Sequence, residues 1–163
     1  MLQFIQDDLL IQKKISLYIL RLDLIHEHIS GNKWYKLKYN IAEMKRLKQN
    51  TLLTFGGAFS NHIAACAFAG KDYGLKTIGI IRGEEHLNNP TLSFARECGM
   101  HLHFISRAQY KQKDSPEFIQ KLKIKFGEFY HVPQGGSNEL GYKGCKEILN
   151  EIKWSYNKGI NLS

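Results

Sequence analysis

The stretch TLLTFGGAFSNHIAACAFAG, residues 51–70, decides the fold. TLLTF is a short run of strand formers, and Gly56-Gly57 closes it. A Ser60-Asn61 pair then opens an alanine-rich helix over residues 60–73, which Gly74 ends. Strand, tight glycine turn, helix is the opening of a parallel α/β unit, and such sheets bind ligands beyond the carboxyl ends of their strands. The free N–H groups and positive dipole end of the helix make a seat for a carboxylate or phosphate. Ser60 and Asn61 are the first side chains to reach that seat. The plainer role for Ser60 is that of a helix cap.

Working outward, the pattern recurs downstream. KTIGII (76–81) reads as a strand and Arg82-Gly83 as a turn. Residues 90–98 form a helix opened by Pro90 and stopped before Gly99. HLHFIS (101–106) is a strand, 115–125 a helix opened by Ser115-Pro116, and FYHVP (129–133) a strand. QGGSNELGY then turns into a last helix near 140–152. The fold class is therefore α/β, an open parallel four-stranded sheet with flanking helices and right-handed crossovers. Upstream, ISLYILRLD (16–24) reads as a further strand, 26–32 as a polar connection, and 33–48 as a helix. The tail, 155–163, is polar and expected to be loose.

With 163 residues, 43% of them apolar, and three prolines, the chain is long enough for one ordinary globular domain. No apolar run approaches the roughly 20 residues that span a bilayer. MLQFIQDDLL carries Asp7 and Asp8 and lacks the basic-then-apolar order of a signal peptide. A soluble cytoplasmic protein is expected. Cys66, Cys98 and Cys145 have no paired spacing and read as reduced thiols. The net charge of +8 raises the question of a polyanion partner. The lysines, however, interleave with acids and apolar residues, as solvated helix faces do. No nucleic-acid and no membrane partner is expected.

SGNKWYKLKYN, residues 30–40, packs three lysines into six positions. A lysine that bonds covalently to a carbonyl must lose its proton near neutral pH, and burial beside other cations helps. Lys33 stands at a helix start, with Lys36 one turn on, so the dipole and Lys36 both disfavour a charge there. On these grounds Lys33 and Lys36 both remain candidates, beside an exposed basic helix with no special role.

Taken together, SGNKWYKLKYN and TFGGAFSNHIAACA resemble the 1-aminocyclopropane-1-carboxylate deaminase and D-cysteine desulfhydrase family. Those are pyridoxal phosphate (PLP) enzymes of the tryptophan synthase β-like group, fold type II. Gly31, Asn32, Lys33, Lys36, Leu37 and Tyr39 match one family pattern; Gly56, Gly57, Ser60 and Asn61 match the other. NPTLSFARECGMHLHFIS and HVPQGGSNELGYKGCKEI continue the likeness, which covers roughly residues 15–150. The resemblance implies that Lys33 carries the cofactor and later takes the substrate's α-proton. It implies that Asn61 bonds the cofactor's ring hydroxyl and that Ser60 acts as nucleophile or proton-handling hydroxyl. Ser60, Asn61 and His62 would meet the substrate, a small amino acid, with His62 standing where relatives often have glutamine.

Relatives carry a Gly/Thr-rich phosphate loop beyond the matching region. Gly135-Gly136-Ser137-Asn138 matches another family segment and reads as a turn and helix cap. The resemblance thus implies a chain cut to about half of such an enzyme. Residues 1–40 would be the lysine-bearing edge of an incomplete large domain, 41–135 the small α/β domain, and 136–163 a return segment and tail. The strand near 16–24 would lack neighbours, leaving an edge for another copy or a missing second-half chain. The alternative is a non-catalytic truncated module that binds a partner or no cofactor. His26-Glu27-His28 has neither the helical nor the zinc-site spacing of a metal pair, so it reads as loop and no metal is expected. His101 and His103 share a strand face and read as packing or surface residues.

Overall fold

The computed structural model describes residues 2–84 and 89–157. The elements, in chain order, are β1 (Leu2–Ile5), α1 (Asp8–Gln12), β2 (Leu17–Leu20), a 3-10 turn (Leu22–Leu24), α2 (Lys33–Arg46), β3 (Thr51–Gly57) and α3 (Asn61–Tyr73). There follow β4 (Lys76–Arg82), α4 (Pro90–Glu97), β5 (His101–Ile105), α5 (Arg107–Tyr110) and α6 (Pro116–Phe126). The chain then runs through β6 (Tyr130–Val132), a 3-10 turn (Gln134–Gly136), α7 (Glu139–Lys146) and α8 (Ile148–Asn157).

β3 to β6 form the expected parallel sheet, in the order β5-β4-β3-β6. The chain steps outward from β3 to β4 to β5, then returns to the other side of β3. Strand order therefore reverses between β3 and β6, paired at Leu52↔Tyr130 and Thr54↔Val132. That reversal is where an open α/β sheet leaves a crevice at its carboxyl end.

Both faces of the sheet are covered, which is why its strands read as near-continuous apolar runs. Side chains alternate across the pleat. Leu52 of β3 and Ile81 of β4 join Ile63, Leu92, Ala95, Ile41 and Met44 in a core under α2, α3 and α4. Leu53, Phe55, Ile78 and Ile80 face Phe118 and Leu122 of α6 on the other side. Gly56 is required by close approach: a Cβ there would stand 2.4 Å from Ile63 Cγ1. The end of β3 therefore runs directly beneath the first turn of α3.

α2 is clamped to α7. A Cβ on Gly144 would stand 1.9 Å from the carbonyl oxygen of Tyr35, so the two backbones touch. Beside this contact, Asn138 Nδ2 donates to Asn40 Oδ1 at 2.7 Å, and Asn40 Nδ2 donates to Lys36 O at 2.7 Å. Asn138 Oδ1 also accepts the Gly141 N–H at 2.8 Å and so caps α7. Asn40 is fully buried, and its amide is satisfied on both sides.

Several elements differ from the sequence reading. The strand expected over 16–24 stops at Leu20, because residues 22–24 coil into a 3-10 turn beside the Arg21–Asp23 ion pair at 2.6 Å. It gains an antiparallel partner, β1, with Leu2 opposite Leu20 and Phe4 opposite Tyr18. The last helix is two helices with a joint at Glu147, whose carboxylate accepts bonds from Lys38 and Tyr39 of α2. α5 is a single turn closed by a Ser106/Gln109 capping box, in a stretch to which the sequence pattern assigns no element. Of the expected loose tail, residues 155–157 continue α8, and residues 158–163 lie outside the described residues.

The hairpin of β1 and β2 leaves Phe4, Leu17 and Ile19 between 43 and 47% exposed. The strand expected to lack neighbours thus has one strand partner among the described residues. None of the described helices is long and apolar enough to cross a membrane.

The α2–α7 contact makes a stability prediction. Gly144→Ala should cost about 2 kcal/mol through backbone displacement, even though alanine favours a helix by up to about 1 kcal/mol over glycine. Urea unfolding followed by circular dichroism reads the change. An unchanged midpoint would mean that the helices can separate freely.

Candidate functional site

Three lysines on α2 have three different surroundings. Lys38 Nζ lies 2.6 Å from Glu147 Oε2, a bond that raises its pKa. Lys36 Nζ donates to the carbonyl of Gly135 at 3.1 Å. Lys33, the first residue of α2, is half-buried, and its Nζ donates to Asn32 Oδ1 at 2.8 Å. Burial, and then the charge of Lys36, hold its pKa below the usual lysine range.

Lys33 opens onto a cavity of about 330 Å³ that it shares with Asn61 and Ala64 of α3 and with His28, Ser30, Gly31 and Asn32. The structure therefore brings together two of the residues singled out from sequence, Lys33 and Asn61, each at the first position of its helix. Two positive helix ends meet at this cavity. Lys36 does not line it. Lys36 is engaged instead with the turn after β6.

Ser60 and His62 lie beside the cavity but do not line it. Ser60 caps α3, its Oγ accepting the Ile63 N–H at 3.4 Å. The hydroxyl proton of Ser60 is not used in that bond.

His62 is 2% exposed and points into the core rather than toward a substrate. Thr54 Oγ1 donates to Val132 O at 2.8 Å, so it accepts from His62 Nε2, which lies 2.9 Å away. That bond fixes the proton on Nε2. Burial, and then Lys33 and Lys36, push the His62 pKa down to about 3. Cys66 Sγ sits 3.6 Å from the same ring, and burial pushes its thiol pKa up. Neither group is poised for acid–base work near neutral pH.

The glycine pair after β6 forms a turn and helix cap, as read from sequence. Gly135 O receives Lys36, and Gly136 N donates to Pro133 O at 2.9 Å. His101 and His103 pack at 5.6 and 5.3 Å against the Phe126 ring, away from the site.

Sequence reading missed His28 as a wall of the cavity. Its signal was its place five residues before Lys33, on a connection that folds back at Gly31 (φ +65°). Gly31 N donates to Leu22 O at 3.2 Å and closes that connection.

No family model matches the chain. Individual proteins do. A Thermotoga maritima protein provisionally named 1-aminocyclopropane-1-carboxylate deaminase is 34% identical over 140 residues, 85% of this chain and 45% of its own length. The bifunctional D-cysteine desulfhydrase/1-aminocyclopropane-1-carboxylate deaminase of Arabidopsis thaliana, a mitochondrial protein, is 33% identical over 152 residues. The chain is a homologue of these deaminase and desulfhydrase proteins. The crystal structure of an ACC deaminase homologue superposes with a TM-score of 0.78 at 26% identity, over 93% of this chain and 47% of that one. A fungal L-serine ammonia-lyase from Rhizomucor miehei, at 14% identity and a TM-score of 0.60, shares the fold. The chain spans less than half the length of the deaminase and desulfhydrase relatives it matches, 45% and 38% for the two named.

The buried His62 generates a pH prediction. Its folded pKa of about 3 lies below its ordinary value of 6.5, so the unfolded chain binds a proton that the folded chain does not. The stability it contributes is complete above pH 6.5 and is lost as pH falls from there toward pH 3. The slope should reach about 1.4 kcal/mol per pH unit between those limits. Urea melts of wild type and His62→Gln across this range should show the slope flattened in the variant. Equal slopes would place the His62 ring in contact with solvent.

Proposed function

We propose that the chain is the lysine-bearing half of a PLP-dependent lyase acting on a small amino acid, of the D-cysteine desulfhydrase or 1-aminocyclopropane-1-carboxylate deaminase type. One observation carries the reading. Of three neighbouring lysines, the one with a lowered pKa opens onto a cavity shared with Asn61, while the other two are tied to Gly135 and Glu147.

The residues fit the reactive end of the cofactor. Burial and the charge of Lys36 lower the pKa of Lys33 Nζ, the direction that bonding to an aldehyde favours. Asn61 offers an amide to a ring hydroxyl across the same cavity. When bound, PLP supplies an electron sink for the bond broken at the substrate's α-carbon. Lys33 then takes the α-proton on Nζ. Ser60, whose hydroxyl proton is free of the cap bond, hands a proton to or from the substrate's β-side. The first turn of α3 holds the substrate carboxylate by its N–H groups. With D-cysteine, the products are sulfide, pyruvate and ammonia. With the cyclopropane substrate they are 2-oxobutanoate and ammonia. D-cysteine or a related amino acid is the preferred substrate in this reading. His62 supports the site from below, by holding α3 to β3 and β6.

The remainder of the reading concerns the protein as a whole. Residues 1–40 belong to a large domain, 41–135 to the small domain and 136–163 to the return segment, in a cytoplasmic protein. The exposed apolar hairpin, with Leu17 and Ile19 on one face and Phe4 on the other, meets a second-half chain or another copy. A second reading, a module without catalysis, is favoured by one feature. Of the glycine pair after β6, the Gly136 N–H is bonded to Pro133 O and so is not offered to a cofactor phosphate.

Labelling decides between them. PLP followed by borohydride should leave a pyridoxyl group on Lys33, mapped by peptide mass, and Lys33→Ala should leave only sparse labelling elsewhere. Scattered labelling of the wild type would favour the non-catalytic module. Ser60→Ala should retain the label on Lys33, since the hydroxyl acts on substrate.

A further inference from the structure

One wall of the Lys33 cavity has no role in the reading above. His28 lines it, and it is not a free loop side chain. His26 Nδ1 accepts the backbone N–H groups of both His28 and Ile29 at 3.1 Å. Ile29 is buried in the core at 1% exposure, which pins the loop from beneath. The His28 ring lies 4.4 Å from Phe68 of α3 and 5.5 Å from Phe94 of α4, while His26 stacks on Trp34 of α2 at 5.4 Å. Three helices thus grip a two-histidine loop at the mouth of the cavity. A side chain held in this way loses little freedom when it meets a ligand.

The other polar groups of the cavity are the Lys33 amine, the Asn32 and Asn61 amides and the Ser30 hydroxyl. Among the described residues, no acidic side chain lines it. The Glu27 carboxylate stands 3.9 Å from His28 Nε2, beyond hydrogen-bond range, on a side chain 85% exposed. The donors therefore suit an anion next to the lysine amine.

We infer that His28 is a specificity-determining residue of this cavity, its ring N–H joining the first turn of α3 in holding the carboxylate of a small substrate whose carbonyl or amino carbon lies at Lys33 Nζ. The inference rests on the reading of Lys33 as the reactive amine. An imidazole keeps at least one N–H in either protonation state, so the role does not depend on its titration. A cofactor phosphate would present the same anionic chemistry, and the test separates the two.

The test uses aldehydes that react with the lysine directly. Glyoxylate and glycolaldehyde are of similar size and differ in carrying a carboxylate or a hydroxymethyl group. In each, the Lys33 amine adds to the aldehyde carbon, water leaves, and borohydride delivers hydride to the resulting imine. The product is a stable secondary amine read by peptide mass. The ratio of glyoxylate to glycolaldehyde labelling at Lys33 should exceed that at the surface Lys121 by about tenfold, the effect of one charge-assisted hydrogen bond. His28→Phe, which keeps a ring against Phe68 but has no N–H, should remove most of the excess, and His28→Gln should restore part of it. An equal ratio at Lys33 and Lys121, or an excess unchanged by His28→Phe, overturns the inference. So does a His28→Phe variant that loses only its preference for PLP over pyridoxal, since the anion held is then the phosphate. Glyoxylate selectivity at a Lys33 that PLP fails to label would leave this inference standing and remove the cofactor reading. No labelling of Lys33 by any aldehyde overturns both.

Discussion

The contact between Tyr35 O and the bare α-carbon of Gly144 is the constraint on which the rest of the site depends. It lets α7 lie against α2 with backbone touching backbone. The Asn40–Asn138 amide pair locks that register, because sliding would break the 2.7 Å bond from Asn138 Nδ2 to the buried Asn40 Oδ1. Once α2 is fixed, so are the depth of Lys33 at its first turn and the reach of Lys36 to Gly135. A helix that could drift by one turn would exchange the two lysines.

The separation of the lysines follows from this geometry rather than from their chemistry, which is identical. Lys38 faces out to Glu147, and Lys36 turns under toward the glycine pair after β6. Lys33 is left with an amide partner only. The charge on Lys36, held in place by a carbonyl, also disfavours a charge on Lys33. One lysine thus tunes another without entering the cavity.

Much of this was legible in the sequence, and the exceptions have physical causes. The four parallel strands and the starts of α3, α4 and α6 are marked by local signals: apolar runs, glycine turns, and caps at Ser60, Asn89 and Ser115. β1 is four residues long and takes its place only through pairing with β2, a tertiary fact that no local pattern encodes. The joint at Glu147 likewise depends on Lys38 and Tyr39, more than a hundred residues away. Lys33 and Asn61 were legible because each opens a helix next to a glycine turn. His28 was not, because its position depends on Phe68 and Phe94. His62 follows a helix cap just as a ligand-facing residue would. It is drawn into the core only because Thr54, on the strand beneath, presents an acceptor there.

The two ends of the proposed cofactor site are unequally provided for, and this bears on the division of the fold. At the lysine end, amine, amide and two helix starts converge on one cavity. At the glycine pair after β6, the carbonyl of Gly135 receives Lys36, and the N–H of Gly136 is bonded to Pro133. The same turn that positions Lys36, and through it Lys33, thus has one N–H group fewer to offer a phosphate. The chain spans less than half of its deaminase and desulfhydrase relatives, and its hairpin presents Phe4, Leu17 and Ile19 to solvent. Leu17 and Ile19 stand on one face of that hairpin and Phe4, against Tyr18, on the other, so both faces of this two-stranded sheet carry apolar surface of the kind that packing partners cover.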